Sequence, residues 1–444
     1  WSRLAMKLAD TVWVNTGEHW TVPARVPLGL PHAAESAWVS MGLSVVDPER
    51  AWRSIKAFLE AQHSNGFVPP VLFCNHKDCR HGEAHLPLLA WATYDVFLHE
   101  GSQENLQWAV PRLALSLGWL ERHRSRDGGQ TFSWASPHES GNPGAPRFDG
   151  LPLFGTWEKS PEQVLSVDLT ALVAHEYHYL AAIYTLLGHT DLARTAAQRA
   201  CEITQALVEH AWDEELGFFF DRYRVASGAL FSTPRRMLVL PSMLGVHGLV
   251  PLLLPGLPDS HVQVLLGHLN STFAALHPVP AAPKWKRTPA WVVTNLLVAK
   301  GLHQQGQSEK GDVILRRTLD MVLQEYDSTG SVYEFYDARP GRSSVPAHML
   351  HVFARGGHDG GAIRDYGPAA AVAFRMIYEL GHKPTVAELD AVNVELHGME
   401  GSEDVSAAAA SFGGGPCAHE LSIFQSECLR FVHQATCPTL PGSS

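Results

Sequence analysis

The stretch DPERAWRSIKAFLEAQHSNG, Asp47–Gly66, contains the start, the apolar face and the stop of one α-helix. Asp47 occupies an N-cap position, Pro48 fits the first helical residue, and Glu49 adds an acid to the first turn. Trp52, Ile55, Phe58 and Leu59 follow at three- and four-residue spacing, and Asn65-Gly66 ends the pattern. The same period recurs outward near 86–99, 104–124, 162–187, 190–210, 258–275, 290–305, 308–325 and 368–380. These stretches come in pairs. The loops between pairs, at 63–84, 126–160, 212–236, 276–288 and 331–366, are longer and richer in Gly, Pro and aromatics than those within them. That asymmetry predicts a ring of helical hairpins with its long loops on one face, where concave sites form. Only Phe218-Phe219-Phe220 and Ser331-Val332-Tyr333 read as short hairpin strands. A first domain is expected over 1–398; from 399 to 444 the pattern fails, and Ala407–Ala410 and Gly413–Gly415 suggest a weakly ordered tail.

With 45% hydrophobic and 18% charged residues, the 444-residue chain has the composition of a globular protein with a large core. Its 34 basic and 45 acidic residues give a net charge of −11, and no Lys/Arg block tracks a phosphate backbone, so nucleic acid is not an expected partner. The longest apolar run, Met237–Leu254, is interrupted by Pro241, Gly245, His247, Gly248 and Pro251, so no membrane span is expected. Trp1 already sits inside a helical pattern with no initiator Met or signal peptide, as in a trimmed or partial product. Six cysteines are too sparse for a disulfide scaffold, though Cys417, Cys428 and Cys437 crowd the end of the chain. Compartment and oligomeric state have no signal.

Three segments combine residue types that chemistry needs. In Trp134–Asp149 an indole, His138, Glu139, Arg147 and Asp149 share a loop without helical period. An indole stacks on a sugar face, carboxylates accept hydroxyl protons, and an acid protonates a leaving oxygen. The alternative is a solvated loop that caps neighbouring helices. In Ser331–Gly341, Glu334 lies between Tyr333 and Phe335, followed by Tyr336, Asp337 and Arg339: either an acid–base group raised by burial or a hairpin with a cross-strand ion pair. In Lys284–Trp291, Trp285, Arg287 and Trp291 precede a helix, as a sugar or anion site or as a surface turn with one buried indole. His175-Glu176-Tyr177-His178 has the wrong spacing for a zinc-protease helix and reads as ordinary histidines. Cys74-Asn-His76-Lys-Asp-Cys79-Arg-His81 matches no common zinc spacing, so free or paired thiols are expected there. Neither a metal nor a cofactor is expected.

Taken in order over about residues 25–380, these segments resemble glycoside hydrolase family 63, in its branch of mannosylglycerate and glucosylglycerate hydrolases. The resemblance begins at Pro31-His-Ala-Ala-Glu35-Ser36-Ala37-Trp38 and Met41-Gly-Leu, where Glu35 stands in place of the family's usual Asp. It continues through Gly66-Phe67-Val68-Pro69, His85-Leu-Pro87-Leu-Leu-Ala-Trp91, Glu139-Ser140-Gly141, Val167-Asp168-Leu169 and Ala211–Asp221, the last being the most specific. Lys284–Trp291 is similar to the segment that lines the family's sugar site, and Glu334 falls at its general base. The resemblance implies an all-α (α/α)6 toroid. It also implies an inverting, exo-acting α-glycosidase for a small glycoside or oligosaccharide end, with an acid and a base about 6.5–9.5 Å apart. Glu35, Trp38, Trp134, Arg147, Trp285, Arg287, Trp291, Tyr336 and Tyr366 would then shape the sugar site.

The chain departs from the family where the acid belongs. The family's Glu-Ser-Gly-Met-Asp-Asn-Ser-Pro-Arg reads here Glu139-Ser140-Gly141-Asn142-Pro143-Gly144-Ala145-Pro146-Arg147, so Pro143 replaces the proton donor. Glu139 or Asp149 from the same loop is the candidate acid. A catalytically inactive, sugar-binding relative is the alternative. A third possibility keeps the toroid but performs lyase or epimerase chemistry with His348, His351, His358 and Tyr366.

Overall fold

The computed structural model describes residues 2–25, 29–74, 82–142, 145–148, 162–224, 244–273, 278–283, 289–338 and 362–381. Eleven α-helices lie among them: α1 (Ser2–Val14), α2 (Ala33–Leu43), α3 (Pro48–Glu60), α4 (Leu89–Glu100), α5 (Gln103–Arg124), α6 (Val167–Leu186), α7 (Thr190–Ala211), α8 (Asp259–Ser271), α9 (Val292–Gln304), α10 (Ser308–Thr329) and α11 (Gly367–Glu379). A 3-10 helix at Val246–Leu253 completes six hairpins.

The degree of burial sorts these helices into two layers. In α2, 10 of 11 residues are buried; in α11, 11 of 13; in α6, 15 of 20. In α3 only 6 of 13 and in α10 only 8 of 22 are buried, along one stripe. A helix apolar all round must be surrounded, whereas a striped one faces water on its other side. The inner wall is therefore α2, α4, α6, the 3-10 helix, α9 and α11, and it closes because α11 packs back on α2. The fold is the (α/α)6 toroid. Links from an inner to an outer helix are short, such as 101–102 and 305–307. Those leading into an inner helix are long, such as 125–166 and 330–366.

Local signals placed the elements well. Asp47 caps α3 by accepting the Arg50 N–H at 3.0 Å, with Pro48 as the first helical residue. Phe218–Phe219 pairs antiparallel with Trp212–Asp213. The helix expected from 162 begins at Val167, because Glu162–Leu165 is a strand paired with Arg222–Arg224. The strand expected at 331–333 instead runs Phe335–Asp337 and pairs with Pro289–Trp291, some forty residues earlier in the chain, while Tyr333 only bridges Arg364. Its partner is remote, so no local alternation announces it. The tail 399–444 lies outside the described residues.

The inner wall needs close backbone approach. A Cβ at Gly42 of α2 would lie 2.2 Å from the Ala371 carbonyl oxygen of α11. At the far ends of the inner helices, Arg375 of α11 joins Asp95 of α4 (3.4 Å) and Glu379 (2.9 Å), and Lys300 of α9 reaches Glu379 at 2.9 Å. Burial raises the Glu379 carboxyl, but Lys300 and Arg375 outweigh it and hold it at about 2. Among the described residues no helix is long and apolar enough to cross a membrane.

Gly42→Ala is expected to destabilise the fold by about 1–3 kcal/mol through overpacking between two backbones, read as a lower midpoint of urea unfolding followed by circular dichroism. An unchanged midpoint would mean that α2 and α11 separate without cost.

Candidate active site

All six inner elements start at the face that carries the long loops, so side chains from their first turns meet there. Glu35 and Trp38 come from α2, His85 precedes α4, Asp168 opens α6, His247 lies in the 3-10 helix, Trp291 caps α9 and Tyr366 caps α11. The helix N-termini also aim their unpaired N–H groups at this end, a setting that favours negative charge.

Glu334 is positioned by two pairings. The ladder between Pro289–Trp291 and Phe335–Asp337 sets Trp291 opposite Phe335, their rings 4.9 Å apart. The Tyr333–Arg364 bridge draws the other side in, and the Glu334 N–H donates to the Ile363 carbonyl at 3.0 Å. Burial pushes the Glu334 carboxyl up to about 7; the Ile363 N–H and the Trp291 indole N–H donate to it and oppose that rise, while the charge of Glu35 adds to it. Glu35 and Glu334 both act on the buried Tyr366 hydroxyl, whose pKa burial and the two carboxylates raise. Glu35 also lies 4.0 Å from His32 Nδ1 and within the field of His85. Glu35, Glu334, Trp291 and Tyr366 therefore form one cluster, in which Glu35 and Glu334 are each only partly covered.

Other expected site residues lie in structural clusters. Arg147 is 3% exposed and forks onto Asp168 (2.5 and 3.1 Å) while reaching Asp221 at 3.2 Å. The Trp134 indole N–H donates to Asp168 at 2.9 Å, and Asp221 accepts the Val167 N–H at 2.9 Å. Burial alone would raise Asp168, but Arg147 and Trp134 hold it below the usual carboxylate range. Beside them burial keeps His247 neutral, down to about 3. Glu139, its side chain fully buried, binds Arg124 through both oxygens (2.5 and 3.2 Å) and accepts the N–H groups of Ala84 (2.6 Å) and Ala135 (2.7 Å). Trp38 packs edge-on against Trp91 in the inner wall. Tyr336 is buried and accepts the Tyr333 N–H at 2.9 Å. Pro143, Asp149, Trp285, Arg287 and the histidines at 348, 351 and 358 lie outside the described residues.

His32 and His85 were not singled out from the sequence. The His32/Glu35 spacing of three residues on one helix face was the available signal. Glu176 is a buried carboxylate that caps α4 from α6, accepting the Ala90 and Trp91 N–H groups at 2.7 and 2.9 Å; the neighbouring His175 and His178 are core residues. Cys74 and Cys201 are each disulfide-bonded. No group of three metal-ligating side chains occurs among the described residues.

Residues 32–359 match the model of the mannosylglycerate hydrolase MGH1-like glycoside hydrolase domain. Mannosylglycerate hydrolase MGH1 of Selaginella moellendorffii is 22% identical over 382 residues, 71% of this chain and 77% of its own. Among solved structures, the family 63 mannosylglycerate hydrolase of Thermus thermophilus, in complex with Tris and D-glycerate, superposes with a TM-score of 0.67 at 18% identity. That match covers 84% of this chain and 99% of the other. Neutral trehalase of Saccharomyces cerevisiae superposes with a TM-score of 0.55 at 14% identity, over 96% and 85% of the two chains. The structural likenesses establish the toroid.

Arg147→Met leaves the buried Asp168 and Asp221 carboxylates facing each other, so a loss of about 3–5 kcal/mol is expected. Calorimetry would register it as a lowered Tm, and an unchanged Tm would show that Arg147 is not their necessary counter-ion.

Proposed function

The chain belongs to the family of mannosylglycerate hydrolase MGH1-like glycoside hydrolase domains, and from that premise we propose that it hydrolyses a small α-glycoside by an exo-acting, inverting mechanism with Glu334 as general base. The sugar end enters the ring mouth, and a water molecule between Glu334 and the anomeric carbon loses its proton to the carboxylate as it attacks. The observation that carries this reading is the placement of Glu334. It is a partly covered carboxyl, steered by the Ile363 and Trp291 N–H groups and facing a second carboxylate, Glu35. A base whose pKa lies near the working pH combines a useful deprotonated fraction with real proton affinity. Glycerate glycosides are the first substrates to test, because the relatives named above are mannosylglycerate hydrolases.

Under this reading Trp291 and Tyr366 line the sugar subsite. Glu139 and Arg147 brace the described parts of the link between α5 and α6, since the Glu139 oxygens bond Arg124 and the terminal nitrogens of Arg147 bond Asp168 and Asp221. A second reading, an inactive sugar-binding relative, is favoured by one observation: Pro143 stands at the position of the family's proton donor. Calorimetric binding of mannosylglycerate without turnover, and no gain on Pro143→Asp, would select it.

Glu334→Gln is expected to lower kcat for a cleavable glycoside by about 10²–10⁴-fold. In the wild type only the deprotonated carboxylate serves as base. With its pKa at about 7, log kcat/KM should rise with pH up to about 7 and level above it. An acid limb that stays in place in Glu334→Gln, or a variant of unchanged activity, would remove Glu334 from the mechanism.

A further inference from the structure

We propose that Asp365 is a positioning residue for the reaction, whose backbone kink and bond to Ser331 fix the segment that grips Glu334; this rests on the hydrolase reading above. The grip is a backbone one. The Glu334 N–H donates to the Ile363 carbonyl at 3.0 Å, and beside that pair Tyr333 bridges Arg364. In a regular antiparallel ladder the next bonded pair would set Asp365 against Val332. Instead the Tyr366 N–H donates to the Val332 carbonyl at 3.2 Å, so the register has slipped by one and Asp365 is the extra residue. That is a β-bulge, a device that re-aims the side chains next to it. Here it turns the chain from its pairing with Glu334 into α11, with Tyr366 as the N-cap residue. Asp365 takes a φ of 53°, in the left-handed region that few side chains accept, Asp and Asn being the commonest exceptions.

Bonds from both sides hold this conformation. The buried Ser331 hydroxyl donates to Asp365 Oδ1 at 2.6 Å, and Arg364 Nε donates to the same hydroxyl oxygen at 3.4 Å. From the other side Asn15, 350 residues earlier and just past the end of α1, donates its Nδ2 to the Asp365 carbonyl at 2.8 Å. Asn15 is 3% exposed, and the same Nδ2 donates to the Thr11 carbonyl at 3.0 Å, which locks the amide to α1. Two residues on, the Gly367 N–H donates to the Pro23 carbonyl at 2.8 Å. Asp365 itself is exposed, so its left-handed backbone contributes strain and little packing, a combination that concentrates at functional sites. It acts through the chain. Losing the bulge restores the regular register, takes the Tyr366 N–H off Val332 and shifts Ile363 against Glu334. A reacting group misplaced by about 1 Å loses on the order of 10²-fold in rate.

The test separates backbone conformation from charge. kcat and KM would be measured on mannosylglycerate and glucosylglycerate for wild type, Asp365→Asn, Asp365→Gly, Asp365→Val, Ser331→Ala and Glu334→Gln, each corrected for folded protein by circular dichroism. Asn accepts the left-handed φ and the Ser331 hydroxyl, Gly accepts only the φ, and Val accepts neither. Asp365→Val is expected to lower kcat by about 10–100-fold while KM stays within about threefold, because a displaced base costs the transition state and not substrate binding. Its acid limb should move upward as the Ile363 N–H ceases to stabilise the ionised Glu334. Asp365→Gly and Ser331→Ala should fall between Val and wild type, and Asp365→Asn should rescue the rate to within about threefold of wild type. An Asn variant as damaged as Val would assign the effect to charge and overturn the positioning role. So would a Val variant with wild-type kcat, or one whose loss only matches its lost folded fraction. In these cases an inactive Glu334→Gln leaves the hydrolase reading intact. A Glu334→Gln that keeps its activity, or a wild type that turns over neither compound, would overturn that reading and the positioning role with it.

Discussion

The toroid depends on six inner elements that are apolar on all sides and therefore have to be surrounded. Once α2, α6 and α11 are encircled by the outer helices and by one another, no side of the wall is left for polar chemistry. Only the ends of the ring remain. Parallel alignment of the inner helices makes those two ends different, because one collects N-termini and long loops, and the other collects C-termini and short links.

Each end deals with charge in its own way. At the far end Asp95, Arg375, Glu379 and Lys300 form a closed network in which every charge has an opposite neighbour. It ties α4, α9 and α11 together. At the open end two acids, Glu35 and Glu334, are grouped with an indole, a phenol and two imidazoles.

The loop 125–166 illustrates how similar residue types divide between bracing and chemistry. It contains the indole, acid and guanidinium that sugar recognition requires, yet the Trp134 indole N–H, both Glu139 oxygens and both terminal nitrogens of the Arg147 guanidinium bond inside the protein. Glu139 has four bonds to its two oxygens and Arg147 spans two aspartates. These side chains tie the described parts of the loop to α5 and to the α6 N-terminus. Composition alone does not separate the two uses, since an ion pair and a sugar site call for the same groups.

The helices, their caps and the ring of hairpins were legible in the sequence. A 3.6-residue apolar period and an Asp-Pro start, as at Asp47–Ala51, act within a few residues of one another and need no knowledge of the rest of the chain. The aromatic setting of Glu334 left an acid–base group and a hairpin ion pair both open, and the ordered resemblance to family 63 is what pointed to it as a base. What the tertiary structure alone decided was which carboxylates are occupied and which two meet. Glu176 finds its N–H donors 86 and 85 residues away, Arg147 finds Asp221 74 residues away, and Glu35 meets Glu334 from the opposite end of the chain. Burial and ion pairing are set by closure of the ring, which brings together residues that no local pattern connects.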